Sequence, residues 1–206
     1  MSADLLPRRL YYVPVVHTQE DLGSLAESVQ AQTTARLGAA AWEDKQRASA
    51  EYWERVAAWV EALPAELPGF RLYQDGLPVC GSEDRIVAEL ADKGSRNYRL
   101  LTRLMQRGAV LMGTESPSLL REEYELVQQL LAKRPVSSLG NPPGNPPRNP
   151  GELLARRDGF IALRIAQTLL PGETGILFIG ALHRVAPLLP SDLQVLYPIS
   201  ARSPRG

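Results

Sequence analysis

The chain has 206 residues, 44% hydrophobic and 22% charged, enough apolar material to bury a sizeable core. Its 23 basic residues balance 23 acidic ones, so no global field draws it to nucleic acid or to an anionic membrane. A single cysteine, Cys80, excludes an internal disulfide and a Cys-rich zinc site.

The amino-terminal MSADLLPRRLYYV lacks an apolar signal core, and no apolar run is long enough to span a bilayer. Residues 10–16 (LYYVPVV) read as a buried strand, with Pro14 marking an edge or an irregular end. The pattern then turns helical from 19 to 63. Trp53, Val56, Ala57, Val60 and Leu63 recur at helix spacing, Gly38 divides or kinks the segment, and Pro64 stops it.

A second strand, 70–74 (FRLYQ), ends at the turn signal Asp75-Gly76. Ser82 is placed to cap a helix that runs to Lys93 and stops at Gly94, and Ser95 to cap another that ends at Gly108. Residues 109–112 (AVLM) form a third strand, followed by Ser116 as an N-cap and Pro117 as a first helical residue. The helix 117–134 meets a low-complexity run, and its repeated Asn-Pro-Pro units predict an exposed loop over 137–150. A helix over 152–170, ended by Pro171-Gly172, leads to a strand at 176–181, and a last strand spans 193–197.

Strands alternating with helices along the whole length predict one α/β domain over 1–206, a mostly parallel central sheet flanked by helices. The unbroken apolar character of AVLM and ILFI fits strands covered on both faces.

In such a sheet, ligands bind beyond the carboxyl ends of the strands. The residues just past each strand are chemically rich. The first strand gives His17, with Glu20 and Asp21 beyond it. The second gives Asp75, the third Glu115 and the fourth His183. Imidazole nitrogens and carboxylate oxygens are ligand types for zinc, iron or manganese. Without metal, a histidine beside a carboxylate is a general base able to activate water. The sequence leaves both chemistries open.

Two helices add charges to apolar stripes. Asp158 lies on the stripe of Leu154, Ile161, Ile165 and Leu169, and Glu123 on that of Leu119, Leu126 and Leu130. A buried carboxylate is costly unless paired. Adjacent helix positions do not face each other, so the partners of Arg157 and Asp158 are expected across the fold. Cys80 has no activating base in sequence and reads as a small core residue. Neither a Walker-type loop nor a GxGxxG motif is present.

A strand ending in His17, the run Arg157-Asp158-Gly159-Phe160-Ile161-Ala162 and the motif Gly180-Ala181-Leu182-His183 together resemble the superfamily that joins TraB, the haem-iron-associated ChaN proteins, the TIKI proteases and the erythromycin esterases. Arg157 matches that group's helix arginine before the second GxxH motif. The first motif departs, with Pro14 where the group has glycine, and Asp75 or Glu115 stands in for its acidic residue. The resemblance implies a hydrolase-like site that acts with or without metal.

The expectation is therefore a cytoplasmic hydrolase acting on a small-molecule or peptide substrate. His17 and His183 serve as bases or, with Glu115, as ligands of a divalent ion. Asp75 and Glu115 orient them, and Arg157 clamps an anion. The competing class is a non-catalytic or regulatory protein that binds haem, iron or a small molecule in the same cleft. A third is a scaffold in which the helical segment 19–63 meets a partner or a second copy of the chain.

Overall fold

Ile176, Leu177, Phe178 and Ile179 form an unbroken apolar run, which only a strand covered on both faces can bury completely. The computed structural model, which describes residues 6–15, 38–131 and 149–199, places all four at 0% exposure. Burial of each contributes about 1.5–3 kcal/mol. They belong to β4 (Thr174–Gly180), the middle strand of a five-stranded sheet. The other strands are β1 (Arg8–Val15), β2 (Phe70–Gln74), β3 (Val110–Met112) and β5 (Leu193–Leu196). Their order is β3-β2-β4-β1-β5, and every pairing is parallel. The expected α/β class, a parallel sheet flanked by helices, is the class the structure has.

Side chains alternate across the sheet, and each face has its own core. One face carries Val13, Leu72, Ile176 and Phe178. It is covered by α1 (Ala39–Glu61), α2 (Glu83–Asp92) and α3 (Arg96–Gln106), through residues such as Trp53, Val56, Val60, Val87, Leu101 and Leu104. The opposite face carries Leu10, Tyr12, Tyr73, Leu177 and Ile179. These meet Ile161, Ala162 and Ile165 of α5 (Pro150–Thr168) and Leu169 at its C-cap. A smaller cluster of Leu119, Leu126 and Leu153 joins α5 to α4 (Pro117–Leu131).

Local chemistry sets the ends of these elements. Ser95 caps α3 by accepting from Tyr98 N–H, Pro117 opens α4, and Gly38, at φ 85°, precedes α1. Asn149 accepts from Gly151 N–H at 2.9 Å, so α5 begins at Pro150, two residues before the expected start. Ser82 makes no side-chain cap to α2. Glu83 folds back instead, its Oε1 accepting from the N–H groups of Cys80 and Gly81 at 2.8 and 3.1 Å. Cys80 is exposed on that loop, against the expectation of a core residue.

Pro14 sits where β5 no longer runs alongside β1, since that pairing ends at Tyr11–Leu196. Its carbonyl accepts from the Tyr52 hydroxyl of α1, so the strand loses no required bond at the residue without an N–H. His17, Glu20 and Asp21 lie outside the described residues, as do residues 19–37 of the expected helical segment, 132–134 of the expected helix 117–134 and 137–148 of the Pro-rich segment. No helix among the described residues is long and apolar enough to cross a membrane.

Candidate functional site

The parallel sheet fixes which residues can meet. β3, β2 and β4 are neighbours in the sheet, and all three end on the same side. Asp75 is the first residue after β2, while Glu115 and His183 stand three residues past β3 and β4. The structure brings these three together, buried, with one ligand-type atom from each within 4.8 Å of the others. Arg157 and Asp158, consecutive on α5, are buried beside them.

His183 is placed by a tight turn, its N–H donating to the Gly180 carbonyl at 3.1 Å. Its Nδ1 lies 2.5 Å from Asp158 Oδ1, and its Nε2 lies 3.4 Å from Asp75 Oδ1. An ionised carboxylate only accepts, so Nδ1 carries a proton and Nε2 is the nitrogen turned toward the sheet end. The second oxygen of each carboxylate is also held. Asp158 Oδ2 accepts from Arg184 N–H at 2.9 Å, and Asp75 Oδ2 from Gly180 N–H at 2.8 Å. Tyr12 donates its hydroxyl to the His183 carbonyl at 3.4 Å.

Arg157 meets Glu115 through two parallel bonds, Nε to Oε2 at 2.6 Å and Nη2 to Oε1 at 2.7 Å. Nη2 also reaches Asp75 Oδ1 at 2.9 Å, and Nη1 pairs with Glu123 of α4. Glu115 Oε1 further accepts from Gly76 N–H at 2.8 Å. The guanidinium is thus engaged on the protein's own carboxylates. An anion could be clamped by Arg157 only by displacing one of them. Glu123, the one partly exposed member at 41% side-chain exposure, is the partner at the solvent side.

Low dielectric sharpens every charge here. Burial raises the Glu115 carboxyl above its ordinary value; Arg157 opposes that shift and the nearby Asp75 charge adds to it. Burial alone would lower the His183 pKa, but the carboxylates of Asp75 and Asp158 outweigh it and the pKa is raised. Arg157 is likewise held more firmly protonated, burial being outweighed by Glu115, Glu123 and Asp75. Glu115 and His183 thus both have pKa values raised above their ordinary ones, for different reasons.

Of the residues picked out in sequence, Asp75, Glu115, His183 and Arg157 share this cluster, and His17 lies outside the described residues. Asp158, whose partners were expected across the fold, and Glu123, marked in sequence as a charge on an apolar stripe, are direct partners of His183 and Arg157. The backbone N–H groups of Gly76 and Gly180 are contributors that residue type alone does not reveal. No protein-family model matches the chain, and neither a curated protein nor a solved structure matches it.

Proposed function

We propose that the chain is a hydrolase whose proton-transfer group is His183 at the carboxyl end of β4. The observation that supports this reading is the line Asp158–His183–Asp75, a carboxylate on each side of one imidazole at a parallel-sheet edge. Asp158 fixes the ring and keeps the Nδ1 proton. Neutral Nε2 then takes a proton from water as its oxygen attacks an ester or amide carbonyl, and the imidazolium returns that proton to the leaving group. Glu115, held through both oxygens by Arg157, places the guanidinium beside Asp75. Arg157 keeps Asp75 and Glu115 from repelling each other.

A second reading has its own support. Two ligands bound at about 2.1 Å around a tetrahedral ion stand about 3.4 Å apart, which is the separation of Asp75 Oδ1 and His183 Nε2. Asp75, Glu115 and His183 would then hold a divalent ion, with Asp158 as the outer carboxylate that orients the imidazole. Such an ion would lower the pKa of a bound water.

One set of measurements separates the readings. Purified protein is tested on a panel of esters and peptides, with and without chelator, beside His183→Ala and Asp75→Asn. Turnover that survives chelator and is lost in His183→Ala supports the first reading. Turnover abolished by chelator and restored by zinc or manganese supports the second. No turnover on the panel and no metal uptake would sink both.

A further inference from the structure

We infer that Thr114, which touches no reacting group, is the positioning residue that fixes Asp75 against Glu115, its hydroxyl replacing a rung of the sheet. This rests on reading the Asp75–Glu115–His183 cluster as one site, but the geometry behind it is separate. The ladder between β2 and β3 runs through Arg71–Val110, Leu72–Leu111 and Tyr73–Met112 and then stops. At the next position, Gln74 N–H donates to Thr114 Oγ1 at 2.9 Å, and that hydroxyl donates its own proton to the Met112 carbonyl at 3.1 Å. One side-chain oxygen therefore ties the last residue of β2 to the last residue of β3. Only a side chain that both donates and accepts can do this.

Everything beyond that tie is laid out from it. The N–H groups of Thr114 and Glu115 both donate to the Leu77 carbonyl, at 3.0 and 2.9 Å, and Val79 N–H donates to the Glu115 carbonyl at 2.9 Å. The two segments that carry the carboxylates thus run side by side past the end of the ladder. From the α3 side, Asn97 Nδ2 donates to Gln74 Oε1 at 2.7 Å, and Gln74 Nε2 donates to the Asp75 carbonyl at 3.0 Å. Thr114 and Glu115 are both at 0% exposure, and Gln74 and Asn97 are nearly so. The Oδ1 of Asn97 has no hydrogen-bond partner among the described residues, so the tie rests on the Thr114 and Gln74 bonds, whose donors and acceptors are buried and paired. Geometric slack of about 1 Å in a reacting group can cost about 100-fold in rate.

The test compares Thr114→Val, which keeps the shape and loses the hydroxyl, with Thr114→Ser, which keeps the hydroxyl. The readout is amide hydrogen exchange at Gly76 and Gly180, whose N–H groups bond to the Glu115 and Asp75 carboxylates. In Thr114→Val these two amides lose protection while those of Leu72 and Ile176 keep theirs, and Thr114→Ser restores the parent pattern. Uniform loss of protection across the sheet, or no change at Gly76 and Gly180, overturns the inference. Thr114→Ala is read by the same criteria should valine prevent folding. With a substrate in hand, kcat falls at least about tenfold in Thr114→Val with little change in KM. Because exchange is independent of turnover, a protein that hydrolyses nothing can still pass the exchange test, so failure of the functional reading is distinguishable from failure of this one.

Discussion

Asp158 takes Nδ1 of His183 at 2.5 Å with one oxygen and the N–H of Arg184 at 2.9 Å with the other, so a single carboxylate fixes both the ring and the chain that carries it. Asp158→Asn keeps the shape, but its amide can donate to Nδ1 and place the ring proton on Nε2, where the base is needed. Hydrolysis by this variant should fall by about 10²–10⁴-fold, the range associated with losing general base catalysis. In the parent, kcat/KM should rise with pH through a midpoint above the ordinary imidazole value of 6.5, because the proposed reaction uses the neutral ring and its pKa is raised. A profile centred at or below that value would contradict the role given to His183.

Stability should fall as pH rises, and two groups set the window. Glu115 and His183 both have raised pKa values in the folded protein, so the native state binds more protons than the unfolded chain. The Glu115 contribution is complete below its ordinary value of 4.5 and is lost as pH climbs through the raised one. That of His183 is complete below 6.5 and is lost above it. Melting temperatures of the parent and of His183→Gln, followed upward from pH 6, should converge as the imidazole deprotonates. A parent advantage that grows with pH would reverse the assigned sign.

Arg157→Met should be among the most damaging single changes. It leaves Asp75 and Glu115 buried without their counter-charge, which costs about 3–5 kcal/mol. Arg157→Lys should not restore stability fully, since an ammonium cannot reproduce the paired bonds to Glu115. Glu123→Gln, at the partly exposed end, should cost about 0–1 kcal/mol. Urea unfolding of the three variants checks this ranking.

Gly113 permits the approach on which the Glu115 loop depends. A Cβ there would stand 2.8 Å from Val79 Cα and 3.0 Å from the Pro78 carbonyl oxygen, both backbone atoms that cannot swing away. Gly113→Ala should therefore cost about 1–3 kcal/mol and disturb the Gly76 bond to Glu115, visible as a shifted Gly76 amide resonance. An unperturbed resonance with parent stability would show that the loop has slack.

The fold was legible in the sequence because its signals agree. The unbroken run ILFI marks β4, buried on both faces, and Ser95 and Pro117 sit where helices begin. AVLM, expected to be covered on both faces, is instead the edge strand β3 with Val110 exposed, and the cap at Asn149 falls outside the expected helix. The clustering of Asp75, Glu115 and His183 was legible too, since strand ends in a parallel sheet converge. Their bonding was not. Arg157 and Asp158 are neighbours on one helix, yet they reach different partners on four other segments, and no spacing rule encodes that. Ser82 stands at the N-cap of α2 as read, but its side chain makes no cap bond, and Cys80, on the loop whose amides Glu83 accepts from, is exposed. Thr114 reads as an ordinary loop residue until the end of the ladder beside it is seen.

The order β3-β2-β4-β1-β5 also constrains how the protein is made. Both neighbours of β1 come from residues after 173, and β1 touches β2 only through β4. A growing chain that has left the ribosome as far as α5 can pair β2 with β3 and nothing else, leaving β1 unpaired until β4 follows. Sheets with such distant pairings assemble slowly. His183 follows β4, so the cluster of buried charges closes only once the strand that joins β1 to β2 has been made, and β5 adds its edge to β1 afterwards.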